Sequence, residues 1–234
     1  MGQSVKRKSS AAALDRTCAF FYNENEILRC ILPDGSSSKE EMNMSNTHEK
    51  TRRLVGLALF SAIVVVLQLL GSFIRFGIFS ISLVLVPIVV GAALYGAAGG
   101  VWLGFVFGMA VLLSGDAGAF LAVNVPGTIL TVLAKGSAAG LLAGFGYKLL
   151  EEKSQTAAVA LSAVLCPVAN TGIFLIGCLL FFMPTIRMWA GGEAVGRYMI
   201  LGLVGVNFLV ELAVNVLLCP TIVRLIRIGR KEHT

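Results

Sequence analysis

Two ionisable side chains stand in stretches that are otherwise apolar. Lys135 lies inside "LTVLAKGSAAGLLAG" and Glu211 inside "GVNFLVELAVNVLLCP". A charge in an apolar, membrane-length segment is costly unless it faces a cavity or a partner. Around Glu211, Asn207 and Asn215 follow at i−4 and i+4, so the three form one polar stripe on a helix. A second polar group sits in "CPVANTG", where Asn170 and Thr171 follow Pro167. Pro167 frees a carbonyl of its own helix. Asn124 precedes Pro126 at the start of the segment that carries Lys135. Two chemistries suit this set. One is a structural Lys135–Glu211 pair with amides as interhelical glue. The other is a pocket for a polar solute, favoured because three segments converge on it.

Catalysis finds little support. The two histidines, His48 and His233, lie near the chain ends, which leaves hydrolase chemistry without an imidazole base or metal ligand. Ser114 in "LLSGD" has no base beside it. There is no "GK" dipeptide, hence no P-loop, so no ATP cofactor is expected in this chain and the chain does not read as an enzyme. The five cysteines form no CxxC pair or Cys/His cluster, so no metal is expected.

The elements that must position these residues are membrane helices. Of the 234 residues, 56% are hydrophobic and 14% charged, where a soluble domain carries about a quarter charged residues. Apolar runs long enough for a roughly 30 Å hydrocarbon layer follow one another. Six spans are expected: Leu54–Phe73, Phe79–Tyr95, Gly99–Leu113, Gly127–Leu149, Ala157–Met183 and Tyr198–Leu225. The fold class is an all-α integral membrane bundle. Lys135 then lies about 12 Å from the outer end of the fourth span at 1.5 Å per residue.

Charge supplies the orientation. Lys50, Arg52, Arg53, Lys148, Lys153, Arg224, Arg227, Arg230 and Lys231 fall on one side; Arg75, Arg187 and Arg197 fall on the other. The positive-inside rule places both termini in the cytoplasm and accounts for the net charge of +6 without nucleic acid. Residues 1–49 are polar, with a "GSSSKEE" run, and read as a disordered tail; Met42 or Met44 reads as an alternative start. The membrane domain covers 50–230, and 231–234 form a short C-terminal tail.

Small residues recur at four-residue intervals. Ala58 and Ala62 do so in the first span, Gly100, Gly104 and Gly108 in the third, and Gly136, Gly140 and Gly144 in the fourth. Such rows let backbones approach closely, within the bundle or against a partner.

In order along the chain, "LVGLALFSAIVVVLQLLGSF", "ISLVLVPIVVGAALYGAAGGVWLGFVFGM", "KGSAAGLLAGFGYKLL" and "PVANTGIFLIG" resemble the substrate-binding S component of energy-coupling-factor (ECF) vitamin transporters, over about Lys50 to Arg230. The resemblance implies a six-helix protein of a prokaryotic plasma membrane that captures a micronutrient from outside. It implies partners: a transmembrane coupling (T) protein and two cytoplasmic ATPases that hydrolyse the ATP. It implies transport by toppling of the whole subunit. The family's AxxxA docking motif matches Ala58–Ala62, with Gly100 and Gly104 as a second docking row. Arg75, Asn124, Lys135, Asn170, Thr171, Asn207 and Glu211 are then the candidate substrate-binding residues. A lysine at that depth suits a carboxylate, which leans the expectation towards pantothenate within the pantothenate/folate group. If Glu211 neutralises Lys135, a neutral or zwitterionic solute fits equally well. The alternative is a stand-alone proton-coupled carrier with Glu211 as its proton site. A third reading is an assembly subunit without a ligand.

Overall fold

The computed structural model describes residues 37–72, 75–76, 79–80 and 83–231. The chain divides into compact units at Thr51/Arg52, and the second unit carries the features below. The helices are α1 (Ser37–Gly71), α2 (Leu85–Leu113), α3 (Gly118–Leu121), α4 (Val125–Leu150), α5 (Gln155–Phe181), α6 (Met183–Trp189), α7 (Val195–Arg197), α8 (Val206–Leu217) and α9 (Cys219–Lys231). A π-helical segment, Tyr198–Gly205, joins α7 to α8. Two short strands, β1 (Arg75–Phe76) and β2 (Phe79–Ser80), form an antiparallel ribbon after α1. The α1 helix begins at Ser37, inside the segment read as a tail; residues 1–36 of that expectation lie outside the described residues.

Four stretches are long and apolar enough to cross a membrane: Lys50–Gly71, Leu85–Leu113, Val125–Leu150 and Gln155–Phe181. Val195–Gly205 and Asn207–Leu217, bent by 42°, make a fifth if taken as one. Large apolar side chains point outward: Leu59 and Val66 on α1, Leu130 and Phe145 on α4, Leu180 on α5 and Leu209 on α8 are all exposed. Gln68, Ser162, Asn170, Glu211 and Asn215 are buried. That inversion of the soluble pattern is what a hydrocarbon surround requires.

The segment expected as two spans joined by "YGAAGG" consists of two helical arms that meet at Gly96, where the backbone leaves the helical conformation. Gly96 has φ 77° and ψ −178°, a conformation that side chains resist. A side chain begun at Gly91 would strike Leu103, and one at Gly100 would come within 2.9 Å of the Ala92 side chain. In a straight helix Gly91 and Leu103 would be about 18 Å apart. The helix therefore doubles back at Gly96, and its two arms pack together. Arg53 Nη2 donates to the Tyr95 carbonyl beside this turn, at 2.5 Å. The second expected span starts later than read from sequence, at Leu85 rather than Phe79, because Phe79–Ser80 belongs to the ribbon. The sixth expected span is broken into the π-helical segment, α8 and α9. Pro220, in the first turn of α9, has no N–H to continue the ladder of α8.

The second arm of α2 runs antiparallel to α4 along matched small residues. A side chain added at Gly100 would meet the Gly140 carbonyl, and one at Gly104 the Gly136 carbonyl; at Gly108 it would lie 3.0 Å from the Val132 carbonyl. The glycine rows of the third and fourth expected spans thus face each other. Gly100 and Gly104, expected to dock a partner, are buried in this contact instead. Helices α4 and α5 are tied by Ser162 Oγ, which donates to the Ala143 carbonyl at 2.7 Å, and by Thr131 packed over Gly177. The start of α4 is set by Asn124, whose Oδ1 accepts the Gly127 N–H at 3.1 Å, with Pro126 in the first turn.

Gly140→Ala is expected to lower stability by about 1–3 kcal/mol, because a methyl group there is driven into backbone. Gly118→Ala, which meets nothing within 4 Å, serves as the control. Thermal unfolding in detergent micelles checks the pair; equal midpoints for wild type and Gly140→Ala would contradict the packing. Asn124→Ala is expected to cost about 1 kcal/mol through loss of the cap, read in the same assay.

Candidate functional site

The polar residues of four helices meet in one cavity. It encloses about 780 Å³ of empty space, its open mouth included. Gln68 reaches it from α1, Phe107 and Val111 from α2, and Asp116 and Ala117 from the loop after α2. Phe120 comes from α3; Thr128, Thr131, Val132 and Lys135 come from α4. Asn170, Thr171 and Phe174 come from α5, with Phe182 just beyond it. Leu203 and Val204 of the π-helical segment close one wall, with Asn207, Phe208 and Glu211 of α8. Each contribution follows from local structure. Thr128, Thr131 and Lys135 lie along one face of α4, at spacings of three and four. Asn207 and Glu211 share a face of α8 for the same reason.

Glu211 is 2% exposed and held by amides. Asn207 Nδ2 donates to its Oε1 at 3.1 Å, and Asn170 Nδ2 to its Oε2 at 3.5 Å. Asn215, one turn further on, lies outside the cavity lining; its Nδ2 donates to the Glu211 carbonyl at 2.9 Å. It therefore braces the backbone that carries the carboxylate. Two buried polar atoms among the lining residues have no partner: the acceptor Asn170 Oδ1 and the hydroxyl Thr131 Oγ1, which can accept or donate. Buried polar atoms are nearly always paired, and a cavity-lining exception is where a ligand's donor would complete the set.

Lys135 is half-buried, and its Nζ lies 5.6 Å from the centre of the Phe107 ring and 5.5 Å from that of Phe174. Cation–π contacts of this kind contribute about 0.5–2 kcal/mol each, more as water is excluded. Among the described residues no salt bridge joins Lys135 to Glu211. The two charges share the cavity, each with its own neighbours. A tight structural pair, one of the two sequence readings, is not what the geometry contains.

The cavity lining has a third polar centre. Gln68 Nε2 donates to Asp116 Oδ2 at 2.6 Å, and Ser114 Oγ to the same oxygen at 3.2 Å. This ties α1 to the loop that follows α2. Beside it, Phe120 sits edge-on to Phe174, Phe182 and Trp189 at 5.0–5.5 Å between ring centres. The interior therefore offers flat apolar walls with a few charged and amide groups, the usual make-up of a small-molecule site.

Of the residues expected from sequence, Lys135, Asn170, Thr171, Asn207 and Glu211 line the cavity together. Asn124 does not line it; its side chain is spent as the α4 cap. Arg75 lies in β1, and its side chain falls outside the described residues. Sequence reasoning missed Gln68, Asp116, Thr128, Thr131 and the phenylalanines. Gln68 was open to the rule that exposed Lys135 and Glu211, since it is a lone amide in an apolar run. Among the described residues no group of three or more His, Cys, Asp or Glu is placed to hold a metal ion.

Comparison with curated proteins and with solved structures finds no match. A family model does match, over residues 52–223, and its description is "ECF transporter, substrate-specific component". The match spans α1 from its apolar start to the first turn of α9, and so takes in every described residue that lines the cavity. The chain belongs to the family of substrate-specific components of ECF transporters, and is a multi-pass membrane protein of that kind.

Proposed function

We propose that this chain is the solute-capturing subunit of an ATP-driven ECF importer, and that the cavity between α4, α5 and α8 is where the solute binds. The observation that carries the reading is the set of buried, incompletely paired polar groups facing one apolar-walled space, Asn170 Oδ1 and Thr131 Oγ1 among them. The solute is a vitamin or similar micronutrient. Pantothenate, towards which the resemblance leans, has support from Lys135 alone, and the other polar groups of the cavity do not favour a carboxylate. The protein works in a prokaryotic plasma membrane with a coupling protein and two ATPases, which hydrolyse the ATP.

Six crossings with both termini in the cytoplasm follow if the two arms of α2 count separately and the bent pair ending at Leu217 counts as one. Basic residues at the ends of α4 and α9 support that orientation. Toppling against the coupling protein requires a smooth outer face. Ala58 and Ala62 are exposed on α1, flanked by exposed Leu59 and Ile63. Trp102, half-exposed on α2, donates its ring N–H to Ser61 Oγ at 3.2 Å on the same surface. With Gly100 and Gly104 occupied inside the bundle, docking rests on Ala58 and Ala62.

Glu211, buried and within the cavity, favours one second reading: a stand-alone carrier that couples uptake to proton movement. The two part cleanly in cells. For the importer, uptake is lost when the shared ATPases are deleted. Uptake that persists without them, and that a protonophore abolishes, would establish the carrier.

The double variant Ala58→Leu, Ala62→Leu is expected to bind solute as wild type does while transport falls at least tenfold, since bulk on that face blocks docking. Radiolabelled uptake into proteoliposomes containing the full complex measures this; unimpaired transport would remove the alanines from the docking surface. Lys135→Met is expected to weaken solute binding at least tenfold while the protein still folds, read by titration calorimetry and thermal unfolding.

A further inference from the structure

The charges of the cavity say what kind of solute it takes. Among the described lining residues, Asp116, Lys135 and Glu211 are ionisable, two carboxyl groups against one amine. The ammonium is already faced by two ring surfaces, Phe107 and Phe174. A ligand carboxylate would therefore share the space with two carboxyl groups and a single amine, and would give up its hydration to do so. Taking an anion out of water is expensive unless a matching cation and hydrogen bonds await it. Beside Glu211, the group that awaits a partner is an acceptor; further along the wall, the Thr131 hydroxyl can accept or donate. The Glu211 carboxylate faces the space, and Asn170 Oδ1 beside it is buried and unpaired, as is Thr131 Oγ1. Asn170 is 5% exposed and its other amide atom is committed to Glu211. Acceptors of this kind call for N–H donors on the ligand. The Lys135 ammonium, a donor in the same lining, suits a neutral acceptor such as a ring nitrogen. The walls, with Phe107, Phe120 and Phe174, suit a flat ring, which phenylalanines hold by stacked or edge-on contact.

We infer that the solute is a planar nitrogen heterocycle, neutral or cationic, whose amino group is read by Glu211 and Asn170 and whose ring nitrogen is read by Lys135. A carboxylate such as pantothenate is disfavoured. This rests on the cavity being the solute site. A pocket built to pair N–H donors rejects analogues without them strongly, because its own buried acceptors are then left unmet.

The test uses two ring-matched probes, 4-aminopyrimidine and pyrimidine-4-carboxylate, with pantothenate as a third. Each is titrated calorimetrically into the full-length purified protein. 4-Aminopyrimidine is expected to bind at least tenfold more tightly than either carboxylate. Glu211→Gln is expected to reduce that preference at least tenfold, with thermal unfolding showing that the variant is folded. Should Glu211→Gln fail to fold, Asn170→Asp takes its place; an added carboxylate beside Glu211 is expected to disfavour the anionic probes further. Equal or tighter binding of either carboxylate overturns the inference, and so does the absence of 4-aminopyrimidine binding. The reading of the chain as an importer subunit fails separately, if uptake persists without the shared ATPases.

Discussion

The contact on which the site depends is the one between two backbones, where the second arm of α2 meets α4. Gly104 lies against the Gly136 carbonyl and Gly100 against the Gly140 carbonyl, with no side chain between them. Phe107 follows Gly104 by one turn, and Lys135 precedes Gly136 by one residue. The glycine contact therefore brings the Phe107 ring to the Lys135 ammonium; a side-chain carbon built at Gly136 would lie 3.3 Å from that ring. Lipid provides no hydrophobic drive for helices to associate, so close packing of small residues is what holds such a pair together. A methyl group at either row would spread the two helices and shift one wall of the cavity.

The second constraint is the cost of polar groups in hydrocarbon. Among the described residues, several such groups are answered locally. Ser162 bonds the Ala143 carbonyl, and Asn215 bonds the Glu211 carbonyl. Gln68 bonds Asp116. The groups left without a partner include Asn170 Oδ1 and Thr131 Oγ1, both on residues that line the space. The π-helical segment before α8 widens that helix where Leu203 and Val204 form a wall, a placement common for π-turns at functional sites.

Much of this was legible in the residues. The Asn207–Glu211–Asn215 stripe could be read because helical periodicity alone sets its face. Lys135 and Asn170 could be read because a polar group at membrane depth has few tolerable surroundings. The glycine rows announced close contact but not with what, since packing inside the bundle and docking outside it use the same spacing. The placement of Asn124 at the start of α4, outside the cavity lining, was not legible because a cap and a ligand group look alike ahead of a helix. The phenylalanine walls were invisible, as aromatic residues in a membrane helix face lipid as readily as a cavity. The reversal at Gly96 was expected as a turn between spans; that one residue makes it, at a φ of 77°, is a property no spacing rule reveals.

The central claim is that the cavity holds the solute. Native mass spectrometry of the purified full-length protein tests it most directly, comparing wild type with Thr131→Trp. Thr131 is buried against Gly177 on the cavity wall, so an indole there fills the space. The account predicts one small-molecule adduct on the wild type, lost from Thr131→Trp while that variant remains folded. The same adduct retained by a folded Thr131→Trp protein would contradict it.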